Sequence, residues 1–268
     1  MDLQLAGKRA LITGSTSGIG AEIARMLALE GVKVVVHGRD RGRAQGVVTE
    51  IEAKGGQAAM ALGDLMTAEG VAAVIRATEQ AFGSIDILVN NAGGSNSATA
   101  PGWFDTPVEE WIDSYRHNAL PAVRLAQAFV PAMRQRGWGR VIQISSRNAI
   151  SAYAHFGPYG AAKAAVNNLT LSLSKALAGT GVTSNGIMPG LIYTPLVDPW
   201  FKALAQQLGS DDPQVGQDFA LQHVLQQTVA RLGRPRDIAV AVCFLASPLS
   251  DFMTGTTFRI DGGATPTV

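Results

Sequence analysis

Cysteine is almost missing: Cys243 is the one example in 268 residues. An intrachain disulfide and a multi-cysteine zinc cage are thereby excluded, which points to a reducing, cytoplasmic setting. Charge is sparse and balanced, with 22 basic against 21 acidic side chains and a net charge of +1. That balance gives no general attraction for a phosphate backbone or an anionic lipid surface, so neither nucleic acid nor membrane is expected as a partner. The opening residues lack a basic region followed by a long apolar stretch, so no secretory signal is expected. One uncharged run, residues 176–197, is long enough to span a bilayer. It carries Thr183, Ser184, Asn185, Pro189 and several glycines, and so reads as protein interior. His37, His117, His155 and His223 are scattered without ligand spacing, so no metal is expected.

What the chain does have is apolar material, 47% of its residues, enough for a substantial core and incompatible with disorder. Short β-branched runs at 9–13, 32–37, 57–62, 85–90, 140–145, 182–187 and 256–260 read as strands. Helical stretches fall at 18–29, 41–54, 68–82, 108–118, 121–136, 158–178 and 236–246. In the first of these Ile19, Ile23, Met26 and Leu27 share a face, and Pro158 opens another where its missing N–H is harmless. Continuous apolar strands alternating with helices predict an α/β fold: one doubly wound domain over 1–268, its parallel sheet covered on both faces. Residues 194–228, with Trp200, Phe201 and Phe219, are expected to form a small helical flap. Cys243 sits in an apolar helical stretch and reads as core.

Between the first strand and first helix runs Thr13-Gly14-Ser15-Thr16-Ser17-Gly18-Ile19-Gly20. Glycines there permit a tight turn and let backbone approach a pyrophosphate, while the helix start offers unpaired N–H groups and a positive dipole end. The spacing is GxxxGxG rather than the commoner GxGxxG. An ordinary tight turn is the bland alternative; the position between strand and amphipathic helix favours dinucleotide binding. At the end of the second strand an NAD-binding chain carries a carboxylate for the ribose 2′-hydroxyl, whereas NADP needs a cation. The sequence reads His37-Gly38-Arg39-Asp40, with Arg41 and Arg43 following. A guanidinium can fork onto a phosphate, so NADP(H) is favoured over NAD(H), with Arg39 as the expected contact. Asp40 is expected to cap the next helix.

Tyr159 and Lys163 stand at i and i+4, on one helical face. Free tyrosine titrates near ~10 and is a poor base at neutral pH. A neighbouring ammonium is expected to lower that value into the range of proton transfer. Ser146 follows the fifth strand, Asn118 closes a helix, and Asn90-Asn91-Ala92-Gly93 ends the fourth strand, all at the sheet edge that also carries the glycine loop.

Together these motifs, with Pro189-Gly190 and the late Asp261-Gly262-Gly263, resemble the short-chain dehydrogenase/reductase family, in order, from Lys8 nearly to the end. The resemblance extends to members that reduce 3-oxoacyl groups, and it implies a Rossmann-type sheet. It also implies roles. Tyr159 would be the general acid in reduction and the base in oxidation. Lys163 would hold the nicotinamide ribose and depress the tyrosine. Ser146, chosen over Ser145 by the family spacing, would orient the substrate oxygen, and Asn118 would hold a relay water. Gly14, Ser15, Thr16, Ser17, Gly18 and Ile19 would form the phosphate loop. Asp64 and Leu65 would meet the adenine, Asn91, Ala92 and Gly93 the adenosine ribose, and Pro189, Gly190, Ile192 and Thr194 the carboxamide. Family members usually assemble as homodimers or homotetramers.

The expected activity is hydride transfer between NADP(H) and a carbonyl or alcohol substrate. Trp103 and Phe104, in the loop after Gly93, together with Trp200 and Phe201, are expected to give that substrate an apolar pocket. Tyr153, His155 and Phe156 precede Tyr159 on a loop that would lie over the site. Two other readings stand beside this one: an NAD-dependent alcohol dehydrogenase, and a dinucleotide sensor without catalysis.

Overall fold

The computed structural model describes residues 1–95 and 102–266. In chain order the first half runs β1 (Arg9–Ile12), α1 (Gly18–Leu29), β2 (Lys33–Gly38), α2 (Arg41–Glu52), β3 (Ala58–Leu62), α3 (Ala68–Phe82) and β4 (Ile87–Asn90). The second half runs α4 (Val108–Asn118), α5 (Leu120–Gln135), β5 (Gly139–Ile144), α6 (Gly157–Ala176) and β6 (Val182–Pro189). After these come α7 (Asp198–Gln207), α8 (Pro213–Phe219), α9 (Pro235–Ala246) and β7 (Thr257–Ile260). The seven strands lie in the order β3-β2-β1-β4-β5-β6-β7, all parallel. The chain winds outward from β1 to β3, then returns to β4 and winds the other way. The carboxyl ends of β1 and β4 therefore part their loops to opposite sides and leave a crevice between them.

Successive residues of a strand face opposite sides, so each strand feeds two apolar layers. Ala10 and Ile12 join Ile23, Leu27, Ile238 and Val242 under α1 and α9. Leu11 joins Val74, Leu125, Phe129 and Met133 under α3 and α5. Cys243 lies in the first layer, 2% exposed, where burial pushes its thiol up to about 12. Among the described residues no helix is long and apolar enough to cross a membrane, and residues 176–197 are mostly β6 and the turns around it.

β4 starts two residues later than the apolar run predicts. Asp86 still bridges the neighbouring strands, donating its N–H to the Arg9 carbonyl at 2.8 Å and accepting from the Arg140 N–H at 2.9 Å, while its carboxylate is turned to the Arg9 guanidinium, at 2.8 Å to Nε and 2.7 Å to Nη2. The flap region is an excursion of α7, α8 and a short π-turn, Ala220–Val224, built round its own small core of Phe201, Ala220, Leu225 and Leu232. This corrects the reading of Phe201: at 2% exposure it props the flap from inside and does not face a pocket.

Candidate active site

The glycine loop is held by bonds that run into the protein. Gly14 and Gly18 take φ of +62° and +54°, a region that costs other residues more. A Cβ at Gly20 would strike the Gly14 carbonyl oxygen, so α1 approaches the loop only because that position is bare. The Ser15 hydroxyl is fully buried, donates to the Ile12 carbonyl at 2.7 Å and accepts from the His37 N–H at 2.9 Å. It anchors the loop to β1 and β2 and turns away from the crevice. The Thr16 methyl rests where any side chain at Gly38 would stand.

His37 was invisible to motif reading. Its Nδ1 accepts from the Gly14 N–H at 2.9 Å, which leaves Nε2 to donate to the Gly63 carbonyl at 3.2 Å. Only a neutral ring can do both, and burial pushes its pKa down to about 4. The unfolded chain thus takes up this proton near pH ~6.5, before the folded one does. Stability from His37 is complete above that value and is lost as pH falls towards 4, about 3 kcal/mol in all. Urea titrations at pH 7 and pH 4.5 are expected to show a steeper loss for the wild type than for His37→Asn; equal losses would dismiss this role.

Thr13, also unforeseen, clips β4 to the loop. Its Oγ1 accepts from the N–H groups of Asn91 and Ala92, each at 2.9 Å. The Asn91 amide donates back to the carbonyls of Thr13 (2.9 Å) and Gly14 (3.1 Å).

Across the crevice, α6 carries Tyr159 and Lys163. Ser145 and Ser146 divide their tasks. The Ser145 hydroxyl donates to the Lys163 carbonyl at 3.1 Å, while Ser146 caps the next turn by accepting from Asn148 N–H at 3.2 Å and lines the crevice together with Tyr159. Lys163 is buried, and its Nζ donates to the Ile144 carbonyl at 2.8 Å and lies 5.7 Å from the Tyr159 ring centre. Asn118 closes α4 with its side chain engaged: Oδ1 accepts from Gly94 N–H at 2.9 Å, and Nδ2 donates to the carbonyls of Gly94 and Ser114, both at 3.0 Å. A Cβ on Gly93 would come 2.6 Å from Asn118 Oδ1 and 3.3 Å from Lys163 Nζ, so these groups meet at one point.

The electrostatics depart from expectation. Burial raises the Tyr159 pKa, and what opposes it is the nearby Ser146 hydroxyl, not the lysine. Lys163 is itself desolvated, down to about 8, so it is a weakened cation aimed at a backbone carbonyl. In this arrangement the ammonium does not make the phenol acidic.

These groups wall a crevice of about 690 Å³. Of the expected residues Gly14, Ser17, Gly18, Ile19, Asn91, Gly93, Ser146, Tyr159, Lys163, Pro189, Gly190, Ile192 and Thr194 line it, joined by Leu191, Pro195 and Leu196. Thr16, Ala92 and Asn118 do not line it, Asp64 accepts from Met66 N–H at 3.0 Å, and Leu65 is buried in the core. Arg39 also lies outside: its side chain is 75% exposed, and Nη1 leans to 3.9 Å from Asp64 Oδ2. The arginine that does line the crevice is Arg43, fixed at the head of α2 where Asp40 Oδ1 accepts its N–H at 2.9 Å. Trp103 and Trp111 meet edge to face over Gly157, and Phe104 is 93% exposed; residues 96–101 of that loop lie outside the described residues. Among the described residues no cluster of ligands fit for a metal occurs.

The sequence matches the short chain dehydrogenase family over residues 8–205. It is 36% identical over 261 residues to the 3-oxoacyl-[acyl-carrier-protein] reductase FabG of Vibrio cholerae, covering 97% of this chain and 98% of that one. L-sorbose reductase from Gluconobacter frateurii, solved with NADPH and L-sorbose, superposes with a TM-score of 0.94 at 32% identity over the whole of both chains. A 7α-hydroxysteroid dehydrogenase solved with NADH and 7-oxo glycochenodeoxycholic acid gives 0.85 at 34% identity, covering 98% of this chain and 96% of that one. On the family match and on relatives that cover nearly the whole chain, the protein belongs to the short-chain dehydrogenase family of oxidoreductases.

Proposed function

We propose that the protein is an NADP(H)-dependent reductase of ketones, or dehydrogenase of the matching alcohols, with Tyr159 as the proton-transferring group. The observation that carries this reading is the meeting of Ser146 and the Tyr159 phenol at the crevice wall above buried Lys163. The crevice suits a dinucleotide: Gly14, Ser17, Gly18 and Ile19 line it at the start of α1, where helix N–H groups are unpaired, and it continues from there to Tyr159. The nicotinamide, when bound, supplies or takes the hydride. Ser17, Gly18 and Ile19 would hold the phosphates, Asn91 and Gly93 the adenosine ribose, and Pro189 to Thr194 the carboxamide. Lys163 would hold the second ribose with the donors that Ile144 leaves free.

In reduction, Ser146 holds the carbonyl oxygen and Tyr159 Oη gives it a proton. Proton transfer needs the phenol protonated, and burial keeps it so across neutral pH. Asn118, with Gly94, fixes the end of α4 beside Lys163 and would seat a relay water there. The flap and Trp103 suit an apolar substrate; a 3-oxoacyl thioester, a steroid-like ketone and a sugar are the classes to assay first.

For the cofactor's 2′-phosphate, Arg43 is the better placed cation. Asp64 neutralises part of Arg39, and that same contact is what favours the NAD reading. We expect Arg43→Ala to raise the KM for NADPH about 10-fold or more and leave that for NADH within twofold, with a smaller effect from Arg39→Ala. Steady-state kinetics with both cofactors across a ketone panel checks this. Equal use of NADH by the wild type would favour the NAD-dependent enzyme, and cofactor binding without turnover of any ketone or alcohol would favour the sensor.

A further inference from the structure

We propose that Arg147 is a positioning residue: it ties the loop between Ser146 and Tyr159 to the flap and so sets one hydroxyl against the other. The inference rests on the reductase reading for its kinetic consequences, but its geometry is independent of it.

Arg147 follows Ser146 directly, yet it does not line the crevice and is only 7% exposed. A guanidinium is costly to bury unless its donors and charge are met. Here three segments meet it. Nη1 donates to the carbonyl of Leu225, at the end of the flap's π-turn, at 3.2 Å. The guanidinium carbon stands 5.2 Å from the centre of the Tyr153 ring, within the range of a cation–π contact. Asp261 attracts it from the turn after β7. The Asp261 carboxylate is fixed by the N–H groups of Gly263 (3.1 Å) and Thr265 (3.0 Å), and its Cα would lie 2.7 Å from a Cβ on Gly190. One buried cation therefore joins the loop bearing Ser146, the flap, and the turn that backs the nicotinamide end of the crevice.

From Tyr153 the contact passes on. Tyr153 meets Phe156 edge to face at 6.4 Å, and Phe156 meets Tyr159 at 6.5 Å. Both ends of this loop are thus controlled from Arg147: Ser146 through the peptide bond, and Tyr159 through two rings. An aliphatic side chain of similar length would fill the space without anchoring either Leu225 or the Tyr153 face.

Kinetics of Arg147→Met and Arg147→Lys test the proposal. A displacement of the Ser146 hydroxyl by about an ångström should lower kcat for ketone reduction roughly 30-fold in Arg147→Met. The KM for NADPH should stay within twofold, and Arg147→Lys, which can still donate to Leu225, should recover most of the loss. Wild-type kcat in Arg147→Met, a matching loss of NADPH affinity, or no recovery with lysine would each overturn the proposal. Should Arg147→Met fail to fold, Tyr153→Leu should lower kcat in the same direction, about 5-fold, and no change would overturn it. Hydrogen exchange gives a readout without turnover: residues 147–158 and 220–226 should exchange faster in Arg147→Met or Tyr153→Leu, and unchanged rates would overturn the proposal. Absence of ketone turnover in the wild type would instead sink the reductase reading and leave the exchange result to decide this one.

Discussion

Replacing Tyr159 by phenylalanine is expected to lower turnover about 10³-fold while NADPH affinity stays within a few-fold. The ring keeps its place against Phe156 and beside Lys163, so the wall of the crevice is preserved and only the hydroxyl that Ser146 meets is lost. Fluorescence titration of NADPH alongside single-turnover reduction separates binding from chemistry. A variant that reduces ketones at a tenth of the wild-type rate or better would remove Tyr159 from the proton-transfer role. For the wild type the raised pKa also fixes the sense of the pH dependence. Reduction, which uses the protonated phenol, should hold its rate through neutral pH and fall only on the alkaline side; oxidation should climb over that same interval.

Lys163→Met should give a more surprising result, a more stable protein that no longer works. The lysine is buried, and desolvation brings its pKa from 10.5 to about 8. With the folded value below the unfolded one, the unfolded chain holds this proton more tightly. The lysine therefore opposes folding at neutral pH and ceases to do so as pH rises from about 8 to 10.5, a difference of about 3 kcal/mol. A neutral side chain of similar volume removes that opposition. Loss of the Nζ bond to the Ile144 carbonyl gives back about 1 kcal/mol, so a net gain of about 2 kcal/mol is expected at pH 7. Urea unfolding at pH 7 and pH 10 checks it: the variant should be the more stable at pH 7, and the gap should close by pH 10. A variant less stable at both values would show that the lysine's contacts outweigh its desolvation. Turnover should fall by at least 100-fold, because the group that would hold the ribose next to Tyr159 is gone.

Sequence spacing revealed what depends on local geometry. The turn at Gly14 and Gly18, the common face of Tyr159 and Lys163, and the seven alternating strands each follow from residues near one another in the chain. What it missed depends on distant neighbours. Arg39 and Arg43 are equivalent as letters; Asp64, just after β3, draws one aside, while the other, in the first turn of α2 that Asp40 caps, lines the crevice. His37 matters because Gly14 and Gly63 close on its two nitrogens, which no spacing encodes. Tyr159 was expected to be acidified by Lys163, yet acidity follows the water excluded around both groups, and exclusion is a property of the assembled walls. Phe201 looked like a pocket residue by composition, whereas the flap needed a core of its own.

The contact of Gly38 with the Thr16 methyl bears on how cofactor preference can drift. A carboxylate installed at Gly38 to favour the unphosphorylated dinucleotide would first collide with Thr16. The two sites are therefore coupled: a side chain at Gly38 requires the Thr16 methyl to turn aside, and its cost falls once Thr16 is trimmed.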